Sequence, residues 1–204
     1  MAIIYLMRHG ESIVNRERRL KCKELDGDLS PLGREQAAKA GHWLMDKGIT
    51  AIACSPFHRA QQTAQIIGDC LGIVPVTDKN LCEIDCGELE GRGDDEGWDA
   101  WRGVFRRWLA CEWEAAFPGG ESLRHAFERF NRSLAQIGKD ETALLVTHGA
   151  ITCSIVPYLC VNAAALQRTS GLDLDNTGFV VLETYDASRY ICRAWNLVEH
   201  LEEG

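Results

Sequence analysis

Two apolar runs in this chain stop at the same dipeptide. "AIIYLM" (residues 2–7) gives way to Arg8, His9 and Gly10, and "TALLVTHG" (142–149) closes on His148 and Gly149. Neither run has a helical period. Short, continuous apolar stretches of this kind read as strands covered on both faces. Such strands belong to parallel sheets flanked by helices, which narrows the fold to the α/β class. The intervening segments agree. "LSPLGREQAAKAGHWLMDKG" reads as a helix with Ser30 at the N-cap, Pro31 at the first helical position and Gly48 as the stop. Leu32, Ala37, Ala40, Leu44 and Met45 form its apolar stripe. "ITAIACS" (49–55) reads as a strand and "FHRAQQTAQIIGDCLG" (57–72) as a helix ending in glycine.

Farther on, the glycine-rich, acidic stretch 83–99 reads as loop. Residues 98–117 read as a tryptophan-rich helix ending before Pro118, so that 95–118 forms a helical insertion placed to lid a pocket. An amphipathic helix over 120–138 carries Leu123, Phe127, Phe130 and Leu134 on one face. "AITCSIVPYLC" reads as a short helix, and 177–186 with 190–198 as a hairpin around "DASR". The expected fold is one α/β domain over 1–204, a three-layer sandwich. Its central sheet is mostly parallel with an antiparallel edge, with helices on both faces and the small helical insertion over the active site.

Net charge is -8, which makes nucleic acid and anionic membranes poor partners. An anionic ligand would need a local cluster of Arg and His. No apolar run reaches the ~18 residues of a membrane span and no secretory leader is evident, so a cytoplasmic location is expected. The nine cysteines are odd in number and scattered, several inside apolar runs, and read as reduced core thiols. Only Cys82 and Cys86 resemble ligand spacing, and no second Cys pair accompanies them, so no metal is expected.

In open α/β sheets, ligands bind beyond the carboxyl ends of the strands. Arg8, His9 and His148 occupy such ends, each His followed by a glycine that lets backbone approach a ligand closely. Arg59 lies about one turn into the helix after a third strand end, where a free helix N-terminus already favours an anion. If the three strands are neighbours, two guanidiniums, two imidazoles and a helix dipole converge on one pocket, and planar Arg forks suit phosphate. His42, His125 and His200 are expected to be solvated or half-buried, and His58 to point elsewhere on its helix.

"LMRHGES" with Asn15, "LSPLGREQA", "SPFHRAQQTA", "EIDCGELEGR", "PGGES" and "LLVTHG" resemble the histidine phosphatase superfamily, also called phosphoglycerate-mutase-like. Matching segments cover roughly 1–92 and 119–150, with weaker agreement at "DNTGFVVLE" and none over 93–118. The resemblance implies that His9 is the nucleophile, forming a phosphohistidine. It implies that Arg8, Arg59 and His148 clamp the phosphoryl group and that Asn15 adds a phosphate contact. Glu83 would protonate the leaving oxygen and then activate water.

The residue types suit that chemistry. Phosphoryl transfer needs in-line positioning and charge neutralisation more than covalent effort. Imidazole attacks only when neutral, and nearby guanidiniums penalise imidazolium. A backbone carbonyl should hold the His9 Nδ1 proton and leave Nε2 free. Glu83 must start protonated, and the nearby Asp85 and Glu88 could favour that state. The protonation state of His148 stays open. No cofactor or metal is required.

Where the mutase branch has Arg-x-Tyr-Gly and a longer basic insertion, this chain has "EIDCGELEGR", which resembles the phosphatase branch. The expected activity is therefore metal-independent hydrolysis of a small phosphorylated metabolite. The style resembles α-ribazole phosphatases and broad-specificity sugar-phosphate or phosphoserine phosphatases alike. Alternatives are phosphoglycerate mutase-type transfer, a metal-dependent hydrolase using His9, His148 and Glu83 as ligands, and a non-catalytic phospho-ligand module. Arg102, Arg106 and Arg107 on the insertion either meet a second anionic group or form a solvated basic face.

Overall fold

A computed structural model describes residues 1–13, 19–22, 27–163, 173–186 and 188–202. The strands are β1 (Ile3–Arg8), β2 (Ala51–Cys54), β3 (Val76–Thr77), β4 (Thr142–Thr147), β5 (Phe179–Thr184) and β6 (Tyr190–Leu197). They form one sheet in the order β3-β2-β4-β1-β5-β6. The first four run parallel, and β5 and β6 add the antiparallel edge. The helices are α1 (Pro31–Trp43), α2 (His58–Leu71), α3 (Asp95–Leu109), α4 (Leu123–Leu134), α5 (Gly149–Leu159) and α6 (Glu199–Glu202).

Alternation along the strands divides the core between two faces. Met7, Leu144 and Val146 pack with Ala40 of α1, Leu44 at its C-cap, and Ala60, Ala64 and Ile67 of α2. Ile4, Leu6 and Leu145 pack on the other face with Val104 and Trp108 of α3, Phe130 of α4 and Ile155 of α5. The three-layer sandwich expected from the strand pattern is therefore present. The connection from β1 leads through α1 toward β2, and that from β4 through α5 toward β5 on the opposite side. The two chains diverge between β1 and β4, the switch point at which such sheets open a crevice.

Several local expectations are corrected. Leu32 and Met45 of the expected stripe are exposed. Helix α1 turns Gly33, Ala37, Ala40 and Gly41 inward, which leaves Leu32 outside, and it ends at Trp43, so that Leu44 is its buried C-cap and Met45 lies beyond it. Helix α3 begins three residues before the expected 98, because Asp94 caps it by accepting from the Gly97 N–H at 2.7 Å. It ends at Leu109 rather than 117, where Cys111 takes a left-handed φ of 63° and leaves Trp113 outside the helix. Strand β3 is an exposed two-residue edge with no apolar pattern to announce it. His200 is buried rather than half-exposed, 2.9 Å from Thr177 Oγ1, and burial pushes its pKa down to about 4. Among the described residues, no helix is long and apolar enough to cross a membrane.

Candidate active site

Strand register builds the site. Met7 stands opposite Val146, and Val146 opposite Cys54, so β1, β4 and β2 end in one row. The next residues off that row are Arg8 and His9, Thr147 and His148, and Ser55. The two imidazoles expected to meet do so, with ring centroids 5.1 Å apart.

His9 is 3% exposed and held at both ring nitrogens. Nδ1 lies 2.7 Å from the Gly10 carbonyl, which can only accept, so the proton sits on Nδ1. Nε2 then has a lone pair, and it accepts from Arg59 Nε at 3.1 Å. Burial first, then Arg59 and Arg8, hold the His9 pKa well below the usual histidine value. The ring is a neutral base with its lone pair aimed at a guanidinium. Gly10 is needed here for a backbone contact rather than for a ligand: a Cβ on it would stand 2.5 Å from the Gly33 carbonyl oxygen. Its own N–H donates to Thr63 Oγ1 at 3.0 Å.

His148 is 1% exposed, with Nε2 2.8 Å from Ser55 Oγ. Its Nδ1 is buried and lacks a hydrogen-bond partner among the described residues. Burial, then Arg59 and His9, push its pKa far down as well. A buried ring nitrogen without a partner costs free energy, and His148 itself is not among the residues that line the cavity around His9. Arg59 is the second residue of α2, nearer the helix start than expected, and its guanidinium lies over the Phe57 ring at 4.9 Å. Arg8 donates to the Leu174 carbonyl at 2.6 Å. Burial lowers the pKa of both guanidiniums, and Glu83 counteracts this most strongly in each.

Glu83 stands at the N-terminus of α5. Its Oε1 accepts from Ile151 N–H at 2.7 Å and from Ile84 N–H at 2.9 Å, and its Oε2 accepts from Ala150 N–H at 3.0 Å. His148 is the N-cap but offers no side-chain cap, so a carboxylate from 65 residues upstream takes that role. The Glu83 loop is itself clamped by Arg129 of α4. That guanidinium donates to the carbonyls of Asn80, Cys82 and Glu83 and pairs with Glu121 through two bonds. Neither Arg129 nor Glu121 was singled out from the sequence; "PGGES" contains Glu121, but nothing local marks Arg129. Asp85 faces its own loop and accepts from Gly87 N–H at 2.8 Å.

Arg8, His9, Arg59 and Glu83 line one cavity of about 580 Å³. Arg19 and Lys21 also line it, as do Trp101, Phe105 and Trp108 of α3 and Tyr158 of α5. Asn15 lies outside the described residues. Arg102, Arg106 and Arg107 are exposed and do not line the cavity; Arg102 pairs with Asp99 and Arg107 with Glu112. The insertion thus turns its aromatic face, not its basic one, to the site.

Of the cysteines, all nine are free, five are buried, and Cys111 is exposed, an exception to the core-thiol reading. Cys86 does not pair with Cys82. It donates to Glu90 at 3.2 Å and sits with Cys22, whose pKa rises through the Cys86 hydrogen bond and burial.

Two guanidiniums, a neutral imidazole whose lone pair accepts from one of them and a carboxylate gather at the switch point of an α/β sheet, a set suited to an anionic ligand. The family model of the histidine phosphatase superfamily (branch 1) matches residues 4–198, and the chain belongs to that superfamily. A relative from Salmonella newport, named "Probable phosphoglycerate mutase GpmB", is 32% identical over 199 residues, spanning 96% of this chain and 90% of the relative. Mycobacterial glucosyl-3-phosphoglycerate phosphatase superposes with a TM-score of 0.78 at 25% identity, covering 95% of this chain and 98% of that one. Phosphoserine phosphatase from Entamoeba histolytica, solved with 3-phosphoglyceric acid, shares the fold with a TM-score of 0.78 at 22% identity, covering 98% of this chain and all of that one.

Proposed function

We propose that this enzyme hydrolyses phosphomonoesters through a phosphohistidine on His9, without a metal. The observation that carries the reading is the His9 ring: Nδ1 tied to Gly10, Nε2 unprotonated, both inside a cavity walled by two guanidiniums. The phosphoryl oxygens take the donors of Arg8 and Arg59, and Arg59 Nε leaves Nε2 for phosphate, which uncovers the lone pair. Nε2 then attacks phosphorus in line, forming P–N as the ester P–O bond breaks. With Ser55 Oγ–H as the donor to His148 Nε2, 2.8 Å away, neutral His148 carries its proton on Nδ1 and gives that hydrogen bond to a phosphoryl oxygen. A neutral donor fits the strongly lowered His148 pKa.

Glu83 supplies the leaving alkoxide with a proton. Oε1 already accepts two bonds and Oε2 one, so Oε2 has room for the proton. In the second half-reaction Oε2 takes a proton from water as that water attacks phosphorus, and the P–N bond returns its electron pair to Nε2. For Glu83→Gln we expect a loss of ~10²–10⁴-fold with alkyl phosphates and much less with 4-nitrophenyl phosphate, whose leaving group needs no proton. Equal losses on both would remove Glu83 from proton transfer.

Transfer of the phosphoryl group to a second alcohol is the other reading, favoured by the name of the Salmonella relative. Hydrolysis is preferred because "EIDCGELEGR" departs from the mutase pattern. The experiment follows purified enzyme with 3-phosphoglycerate and with 4-nitrophenyl phosphate, with and without chelator. Chelator-insensitive phosphate release that outpaces formation of 2-phosphoglycerate supports hydrolysis; the reverse order supports the mutase.

A further inference from the structure

The cavity is larger and more apolar than a phosphate clamp requires. Trp101, Phe105 and Trp108 of α3 form one wall, Pro157 and Tyr158 of α5 another, and Leu109 stands 61% exposed at the rim. The volume of about 580 Å³ lies within the ~300–1,000 Å³ of pockets that bury molecules well beyond a three-carbon acid.

We propose that this wall is a subsite for a flat, uncharged ring, so that the substrates are phosphate esters of ring-bearing alcohols rather than short phospho-acids. The proposal rests on the phosphomonoesterase reading and deepens it.

Three features argue for a ring. The aromatic wall is braced from behind: Trp101 stacks on Phe117 with centroids 4.8 Å apart and planes 25° apart, and Phe105 lies 4.9 Å from both Trp101 and Trp108. A wall already ordered costs little to dock against. Its polar tips are largely spent, since Trp108 Nε1 donates to the Ala115 carbonyl at 2.7 Å and Tyr158 Oη to the Trp108 carbonyl at 2.6 Å. Trp108, 2% exposed, thus braces the wall, and Tyr158 offers ring surface with its hydroxyl proton already spent.

Charge is also absent from the wall itself. The cationic lining residues are Arg8, Arg19, Lys21 and Arg59, and Asp173 and Asp175 flank Leu174, whose carbonyl accepts from Arg8. The side chains that α3 and α5 turn to the cavity as this wall are uncharged. The basic residues of α3 face outward.

The test compares 2-(2-naphthyl)ethyl phosphate with ethyl phosphate, both esters of primary alcohols with similar leaving groups. Turnover is read as kcat/KM, and binding of the corresponding phosphonates by calorimetry. Burial of the ring predicts a preference of ~10²-fold in both measurements. Trp101→Leu and Phe105→Leu should each cut the preference about tenfold through lost stacking; Phe105→Leu keeps an apolar residue there should the indole be needed for folding.

Equal binding of the two phosphonates, or preferences unmoved by both substitutions, would overturn the subsite. Release of phosphate from both esters without preference overturns it and leaves the hydrolase reading standing. Selective naphthyl binding without phosphate release supports the subsite and sinks hydrolysis. Absence of both binding and release overturns the two together.

Discussion

His9→Gln is expected to reduce phosphate release by at least ~10⁴-fold, about 5.5 kcal/mol of transition-state stabilisation. The glutamine side chain is short enough for the site, and its carbonyl oxygen can accept the Arg59 Nε–H that His9 Nε2 accepts. The clamp should therefore persist, and vanadate or phosphate should bind with little change while turnover disappears. That pairing separates a nucleophile from a residue that only shapes the pocket. A variant keeping a substantial fraction of the wild-type rate would end the assignment of His9. Lost turnover with lost anion binding would instead assign His9 to the clamp.

Arg59→Met should cost ~10²–10³-fold in kcat, the size of one lost donor to a developing phosphoryl charge. It should also leave a signature in pH. Free-enzyme His9 must be neutral to attack, so activity falls as pH drops through its pKa. In the wild type that pKa lies well below the ordinary value, with burial as the largest cause and Arg59 the largest charge. Removing Arg59 takes away a charge that disfavours imidazolium, so the His9 pKa rises and the acid limb of kcat/KM moves to higher pH. Arg59→Lys should restore most of the limb position and less of the rate, because a point charge replaces the fork. An unchanged acid limb in Arg59→Met would show that Arg59 does not set the state of His9.

Much of this site was legible because it rests on strand ends. A continuous apolar run that breaks at Arg8 and His9, and another at His148, disclose two parallel strands and which edge of the sheet they share. The pairing that brings the rings to 5.1 Å follows once the strands are neighbours. Glu83 was found only by resemblance, because its role depends on meeting the start of α5, a contact that no local spacing encodes. Arg129 was not legible at all: its carbonyl partners lie 46 or more residues away, and an Arg on an amphipathic helix reads as solvated until the packing of α4 against the Glu83 loop is known. The bounds of α3 were misread for a simpler reason. Glycine and acid density suggested loop, yet Asp94 caps the helix and Asp95 and Glu96 suit its positive end.

The covalent intermediate tests the central claim most directly. Enzyme mixed with radiolabelled 4-nitrophenyl phosphate, quenched in alkali within milliseconds and digested, should yield one acid-labile, alkali-stable phosphate on the peptide holding His9, attached at Nε2, and none from His9→Gln. A label on another residue, attachment at Nδ1, or full turnover with no trapped phosphate would contradict a ring nitrogen freed by the Gly10 carbonyl to attack phosphorus.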